Sequence, residues 1–219
     1  MNITIETLCE NHPALTPCAP DIKAAQRLLA DTFKAGGKLL LCGNGGSCAD
    51  CDHITGELLK GFLSHRPLSE EDCLSLADAL PEGEADPDLY LLAGQLQGGL
   101  PAISLPSMTA LGTAFSNDVE PALTFAQGVW ALGRAGDTLL CLSTSGSSRN
   151  VILAVKAARA KGLHVVSLTG EAESPLSAVS DVTVRVPATE TYRVQEYHLP
   201  VYHYLCAAIE EELFGSPEA

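Results

Sequence analysis

His53 and Glu57 stand four residues apart, directly after the run Gly43-Asn44-Gly45-Gly46-Ser47. On a helix that spacing puts both side chains on one face. An imidazole beside a carboxylate can move a proton or hold a metal ion. The apolar run from Leu39 to Cys42 has the composition of a buried strand, the glycines force a tight turn, and Ser47 opens an amphipathic helix. Unpaired N–H groups at such a helix start attract an anion, and Gly45 and Gly46 let a phosphate come close to the main chain. An anion site and a proton-transfer or metal pair are therefore expected side by side.

A second turn, Ser143-Thr144-Ser145-Gly146-Ser147-Ser148, carries five hydroxyls and a glycine, again between an expected strand and an expected helix. Hydroxyls at a helix N-terminus can bond phosphate oxygens without any Lys. Helix capping by serine is the alternative use, but one serine would suffice for that. Neither turn matches a nucleotide fingerprint: Cys48 stands where a dinucleotide motif wants its third glycine, and the Lys-Ser/Thr pair of a P-loop is missing. The two turns point to a small phosphorylated metabolite. The third group is Gln195 with His203, eight residues apart and so on one helical stripe, with His198 directed elsewhere and Pro200 expected to kink the helix.

The elements that must position these groups alternate along the chain. A short helix is expected around Ile5 to Cys9 and an amphipathic one from Asp21 to Lys34, together an N-terminal helical segment over 1–36. Strands are predicted at Leu39 to Cys42, Ala102 to Leu105, Thr138 to Ser143, His164 to Thr169 and Val182 to Val186. Helices are predicted from Ser47, at Asp118 to Leu132, Ser148 to Lys161, Pro175 to Val179 and Tyr192 to Leu213. Such alternation implies an α/β fold in which helices flank a parallel sheet, and ligands gather at the carboxyl ends of the strands. Between them, residues 68–99 form an acidic stretch with short helices around Ser69 to Ala79 and Leu89 to Leu96. No Lys or Arg occurs between Arg66 and Arg134. That stretch is expected as a solvated insertion within one domain spanning 1–219.

The formal net charge of −14 argues against nucleic acid as a partner, because phosphate backbones demand clustered Lys and Arg. The chain has no apolar run long enough for a membrane span and no secretory leader, so a soluble, cytoplasmic protein is expected. Its eight cysteines lack a disulfide pattern. Cys48-Ala-Asp-Cys51 is a C-x-x-C at a helix start, where the helix dipole would lower a thiol pKa, but it has no second pair to complete a zinc site.

Taken together, Gly43-Asn-Gly-Gly-Ser47 with His53 and Glu57, the Ser143 to Ser148 turn, and Gln195 with His203 resemble the SIS (sugar isomerase) domain family, and within it the phosphoheptose isomerase group. The resemblance runs from about Ala24 to Glu212, interrupted by the acidic stretch. It implies a single SIS domain with a five-stranded parallel sheet in three α/β/α layers, assembled as a homotetramer with active sites at subunit interfaces. The implied reaction is the aldose-ketose isomerisation of sedoheptulose 7-phosphate to D-glycero-D-manno-heptose 7-phosphate, or of a related sugar phosphate, through an enediol. By position, Ser47, Ser143, Thr144, Ser145 and Ser148 would hold the phosphate. Asn44 and the Asn117-Asp118 pair would line the sugar. Glu57 would be the base at carbon and His203 the partner acid/base. The resemblance also implies zinc, one ion per site, on His53, Glu57, Gln195 and His203. Two positions depart from the family pattern: Gly61, with Lys60 beside it, replaces an Arg, and Tyr192 replaces an Asp.

Two other uses of the same chain compete. A SIS-type binding module would sense sugar phosphates or dock on a protein partner, and would need only the serine turns. Keeping His53, Glu57, Gln195 and His203 together favours catalysis. A nucleotide-dependent enzyme is disfavoured by the missing fingerprints.

Overall fold

A computed structural model of the chain describes residues 3–79 and 87–215. In chain order these form helices α1 (Ile5–Asn11) and α2 (Ala19–Lys34), strand β1 (Leu39–Gly43), and helices α3 (Gly46–Leu59), α4 (Glu70–Asp78) and α5 (Pro87–Gln95). Then come β2 (Ala102–Ser104), α6 (Thr109–Asp118), α7 (Thr124–Leu132), β3 (Thr138–Leu142), α8 (Arg149–Ala160), β4 (His164–Thr169), β5 (Val182–Arg185) and α9 (Thr191–Phe214). The five strands pair in parallel in the order β2-β1-β3-β4-β5, so the predicted five-stranded parallel sheet is present.

Both faces of the sheet are covered, which is why its strands carry apolar runs rather than alternating polar residues. Leu39, Leu41, Leu140, Leu142, Val166 and Leu168 point to one side and pack with α1, α2, α3 and α9. Leu40, Cys42, Leu139, Cys141 and Val165 point to the other and pack with α7 and α8. The result is three layers, α/β/α. Strand β1 lies between β2 and β3, so the chain leaves it in one direction and returns on its other side. The carboxyl ends of β1 and β3 therefore flank the topological switch point, where open α/β sheets bind ligands.

Two expectations are corrected. The helix predicted over Asp118 to Leu132 is two helices: Asp118 closes α6, Val119 leaves helical geometry, Pro121–Leu123 form a 3-10 turn, and α7 starts at Thr124. Pro121 cannot donate an N–H to a continuing helix, and the Glu120 carboxylate accepts the Ala122 N–H at 3.1 Å, which restarts the chain. The segment Pro175 to Val179, read as a short helix, forms only a 3-10 turn at Ser177–Val179. In the acidic stretch α4 buries none of its residues, and the segment leaves and returns at the antiparallel bridge between Pro67 and Gln97. Its middle, residues 80–86, lies outside the described residues.

One buried ion pair joins α9 to the end of α3. Arg66 and Glu210 are each 1 % exposed, with Arg66 Nε 2.7 Å from Glu210 Oε1. The same guanidinium donates to the carbonyls of Leu58 at 2.8 Å and Glu57 at 3.3 Å. Glu210 in turn accepts the backbone N–H groups of Phe62, Leu63 and Ser64.

His198, fully buried on α9, reports on acid stability. Burial holds its pKa at about 4 against an ordinary 6.5, although the carbonyl of Thr169 works in the other direction. The unfolded chain takes up this proton first. The stability due to a neutral His198 is thus complete above pH 6.5 and lost as pH falls towards 4, up to about 3 kcal/mol. Urea denaturation between pH 7.5 and 4 should show that decline, and His198→Gln should flatten it relative to the parent.

Candidate active site

The two turns meet at the switch point. After β1, Gly45 adopts φ +58° at the N-cap of α3, a conformation that favours glycine. After β3, Gly146 adopts φ +61° and lies so close to Ser174 that a Cβ there would meet its hydroxyl. Asn44 and Asn150 join the turns through a reciprocal amide pair of 3.0 and 2.8 Å.

Neither N-cap residue caps its helix with a side chain: Gly45 has none to offer, and Ser148 at the N-cap of α8 makes no capping bond, although Asn150 Oδ1 accepts the Val151 N–H at 3.0 Å. Ser143 donates to Ser148 at 3.3 Å, and Ser145 accepts from both the N–H and the hydroxyl of Ser147. Thr144 contributes its carbonyl, which accepts the N–H of Gly170 and ties the turn to the end of β4. Ser47 and Ser143 are buried at 3 % and 4 % exposure, while Ser145 is exposed. Two helix N-termini and a bank of hydroxyls form a site for an anion with several oxygens.

Two helical turns along α3, the proton-transfer groups converge. His53 Nε2 lies 3.3 Å from Glu57 Oε1, and Lys60 Nζ lies 3.1 Å from Glu57 Oε2. The ring of His203 on α9 meets that of His53 edge-on, with centroids 5.1 Å apart. Burial lowers the pKa of His203, as does the nearby His53, while Glu57 works in the opposite direction. These effects favour the neutral imidazole, whose unprotonated nitrogen can take a proton. Gln195 arrives from the same stripe of α9 and lies against Gly46, where an added Cβ would stand 2.4 Å from its Nε2. The structure thus brings His53, Glu57 and His203 together across α3 and α9, with Gln195 against the glycine turn. In contrast, Asn117 and Asp118 sit exposed at the end of α6 and bond to each other at 2.8 Å rather than to either turn.

As donors, two imidazoles, a carboxylate and an amide suit a tetrahedral ion. Ligands about 2.0–2.1 Å from such an ion stand roughly 3.3 Å apart, which matches the His53–Glu57 edge. Among the described residues no three or more His, Cys, Asp or Glu side chains already converge on one point, so His203 and Gln195 would have to turn towards that edge. Cys48 and Cys51 take no part: burial pushes both thiols up rather than down, with Asp52 adding to the effect, and all eight cysteines are free. The helix-start position does not activate them because Cys51 faces the core.

The sequence reading missed four residues that shape the site. Asn150 locks the two turns together, Arg66 fixes the end of α3, and Tyr202 and Asp50 bond in series to His53. Asp50 stands one helical turn before His53 on the same face, a spacing that could have flagged it. Tyr202 carried no signal, because its partner lies on another helix.

If the closeness of Gly46 to Gln195 sets the position of that amide, Gly46→Ala should push the side chain away while leaving the fold intact. Turnover is expected to drop about a hundredfold, as for a displacement near 1 Å, with thermal denaturation almost unchanged.

Comparison with known proteins agrees with this geometry. The SIS domain family matches at residues 108–208 and again at 14–90. The phosphoheptose isomerase of Akkermansia muciniphila is 33 % identical over 208 residues, 95 % of this chain and 94 % of that one. That of Thiobacillus denitrificans is 38 % identical over 203 residues, covering 91 % and 87 %. Among solved structures, phosphoheptose isomerase GmhA from Neisseria gonorrhoeae superposes with a TM-score of 0.70 at 33 % identity, covering 91 % of each chain. A phosphoheptose isomerase from Francisella tularensis gives 0.72 at 30 % identity, covering 91 % of this chain and 92 % of that one. The chain is a member of the SIS domain family and belongs to its phosphoheptose isomerase group.

Proposed function

We propose that the protein interconverts the ketose and aldose forms of a heptose 7-phosphate, with sedoheptulose 7-phosphate as the ketose, through an enediol. The observation that carries this reading is the grouping of Glu57, His53 and His203 on α3 and α9, with α3 starting at the glycine turn that meets the serine turn. Membership in the phosphoheptose isomerase group supports it.

The phosphate would sit between the turns, on Ser47, Ser143, Thr144, Ser145 and Ser148 and on the N–H groups opened by Gly45 and Gly46. That leaves the far end of the sugar towards α3 and α9. Asn44 is exposed at the rim of the turn, although its bond to Asn150 must open or share if it is to touch the sugar. Glu57 would take the proton from one of the first two carbons and return it to the other. Lys60 holds one oxygen of its carboxylate at 3.1 Å, and His53 Nε2 faces the other at 3.3 Å. His203, neutral because it is buried, would carry the proton between the two oxygens. A charge develops on oxygen as the carbon proton leaves, so these transfers need stabilisation in the same step.

Zinc fits the donor chemistry of His53, Glu57, Gln195 and His203, and one ion per site is part of the proposal. When bound it would supply Lewis acidity to the substrate oxygens. Asn117 and Asp118 are proposed as sugar contacts only in an assembled oligomer, since within one protomer they pair with each other. Exposed Val119, Trp130, Tyr192 and Leu199 supply apolar surface for such an assembly, proposed as a homotetramer. Among the described residues no helix is long and apolar enough to cross a membrane. A cytoplasmic location is proposed on the basis of a phosphorylated substrate.

The deciding experiment follows exchange of the C1 hydrogen of sedoheptulose 7-phosphate with deuterated water, with zinc added or chelated. Exchange and aldose formation are expected, and Glu57→Gln should lose both while still binding the sugar phosphate. No exchange in the parent protein, with binding retained, would overturn the isomerase reading in favour of a sensor. Light scattering on the same preparation should give four chains per particle, and a monomer would end the tetramer proposal.

A further inference from the structure

Behind the His53–Glu57 edge runs a buried polar chain with a direction. His53 Nδ1 lies 3.0 Å from the hydroxyl of Tyr202, and that hydroxyl donates to Asp50 Oδ1 at 3.3 Å. Tyr202 is 1 % exposed, and the second oxygen of Asp50 is buried with no hydrogen-bond partner. A phenol has one proton. If that proton is given to Asp50, the phenol oxygen can only accept from His53, so Nδ1 must carry the hydrogen of the neutral ring. The lone pair then sits on Nε2, which faces the carboxylate oxygen of Glu57 at 3.3 Å. Two acceptors at that distance repel unless a cation lies between them.

We propose that Tyr202 and Asp50 are positioning residues that hold His53 in its Nδ1–H form and thereby commit Nε2 and Glu57 to sharing a cation. The cation half of this inference rests on the reading of that edge as a zinc site; the tautomer half does not. Asp50 gives the chain its direction. Ionised, it is an acceptor only, and burial keeps water from its unpartnered oxygen, so the Tyr202 proton has one favourable destination. The principle is general to metal-binding imidazoles: the partner of the remote nitrogen sets which nitrogen is free and how basic it is. Here the partner is a phenol relaying a carboxylate, drawn from two different helices. Asp50 and His53 come from α3 and Tyr202 from α9, so the relay also couples ring orientation to the packing of those helices. His203 follows Tyr202 directly in the chain.

The test uses the metal-free full chain with 15N-labelled histidine at pH 8. Long-range proton–nitrogen spectra should show His53 protonated at Nδ1 in the parent. Tyr202→Phe keeps the ring and removes the oxygen, and the Nδ1–H preference should disappear. Asp50→Ala leaves Tyr202 free to turn its proton towards His53, so the ring should invert to the Nε2–H form. A histidine that merely packed against Tyr202 would show neither change. Zinc affinity, read by competition with a chromophoric chelator, should weaken about 10- to 100-fold in Tyr202→Phe. Parent protein with His53 in the Nε2–H form, or variants that leave the tautomer unchanged, would overturn the proposal without requiring any variant to be active. If the parent shows the Nδ1–H form but binds no zinc, the tautomer assignment stands and the cation half falls. Unchanged zinc affinity in Tyr202→Phe would likewise overturn the cation half.

Discussion

The site depends on the buried pair of Arg66 and Glu210. Glu57 sits in the last turn of α3, where a helix normally frays because its final carbonyls lack partners. Here the Arg66 guanidinium supplies donors to the carbonyls of Glu57 and Leu58, replacing a C-cap with a charged clamp. Burial pushes the Glu210 carboxyl up, but the N–H groups of Phe62 and Leu63 and the Arg66 charge outweigh it and hold the pKa below the ordinary value. The pair thus stays ionised. Breaking one side of such a pair generally costs about 3–5 kcal/mol, because the survivor is left charged and unpaired. As Glu210 belongs to α9, the helix that carries Gln195 and His203, the clamp fixes the two halves of the site to each other.

A phosphate held at the two turns, as proposed, would be bound at short range. A chain with a net charge of −14 repels a sugar phosphate at a distance, so electrostatic steering cannot be the source of affinity. What remains is local: two helix N-termini whose N-cap residues make no side-chain capping bond, hydroxyls buried at 3–4 % exposure, and Arg149 at the first position of α8. These act within a few ångströms and are weakly screened by salt. The asparagine pair between the turns keeps both dipoles aimed at one point.

Much of this was legible in the sequence, and the reason differs by residue. Strands buried on both faces leave unbroken apolar runs such as Leu39 to Cys42 and Thr138 to Leu142, so their boundaries were visible to within about a residue. The turns announced themselves through glycines and clustered hydroxyls, and His53 with Glu57 and Gln195 with His203 through helical spacing. Local chemistry was blind to pairs separated by 144 residues, such as Arg66 with Glu210, or by 149, such as His53 with Tyr202. The helix over Asp118 to Leu132 failed for a local reason. Its apolar period continues through Pro121, and the break is decided by the missing N–H rather than by hydrophobicity.

The two departures from the family pattern are not equivalent. At position 61, where the resemblance places an Arg, a Cβ would stand 2.2 Å from the carbonyl oxygen of Ser64 and 2.9 Å from Gln97 Oε1, so no side chain fits. Gly61 instead donates its N–H to Gln97 at 2.8 Å, at the point where the acidic stretch returns to the body of the protein. Lys60 supplies the positive charge beside Glu57. Gln97 thereby links the acidic stretch to the end of the helix that carries the base. Tyr192, by contrast, is 60 % exposed, with the Arg193 guanidinium 6.0 Å from its ring centroid. Among the described residues nothing closes around it. An exposed phenol in place of a carboxylate removes a strong acceptor and leaves Glu57 and His203 untouched, so under the proposed mechanism this change would bear on which sugar is held rather than on how its proton moves.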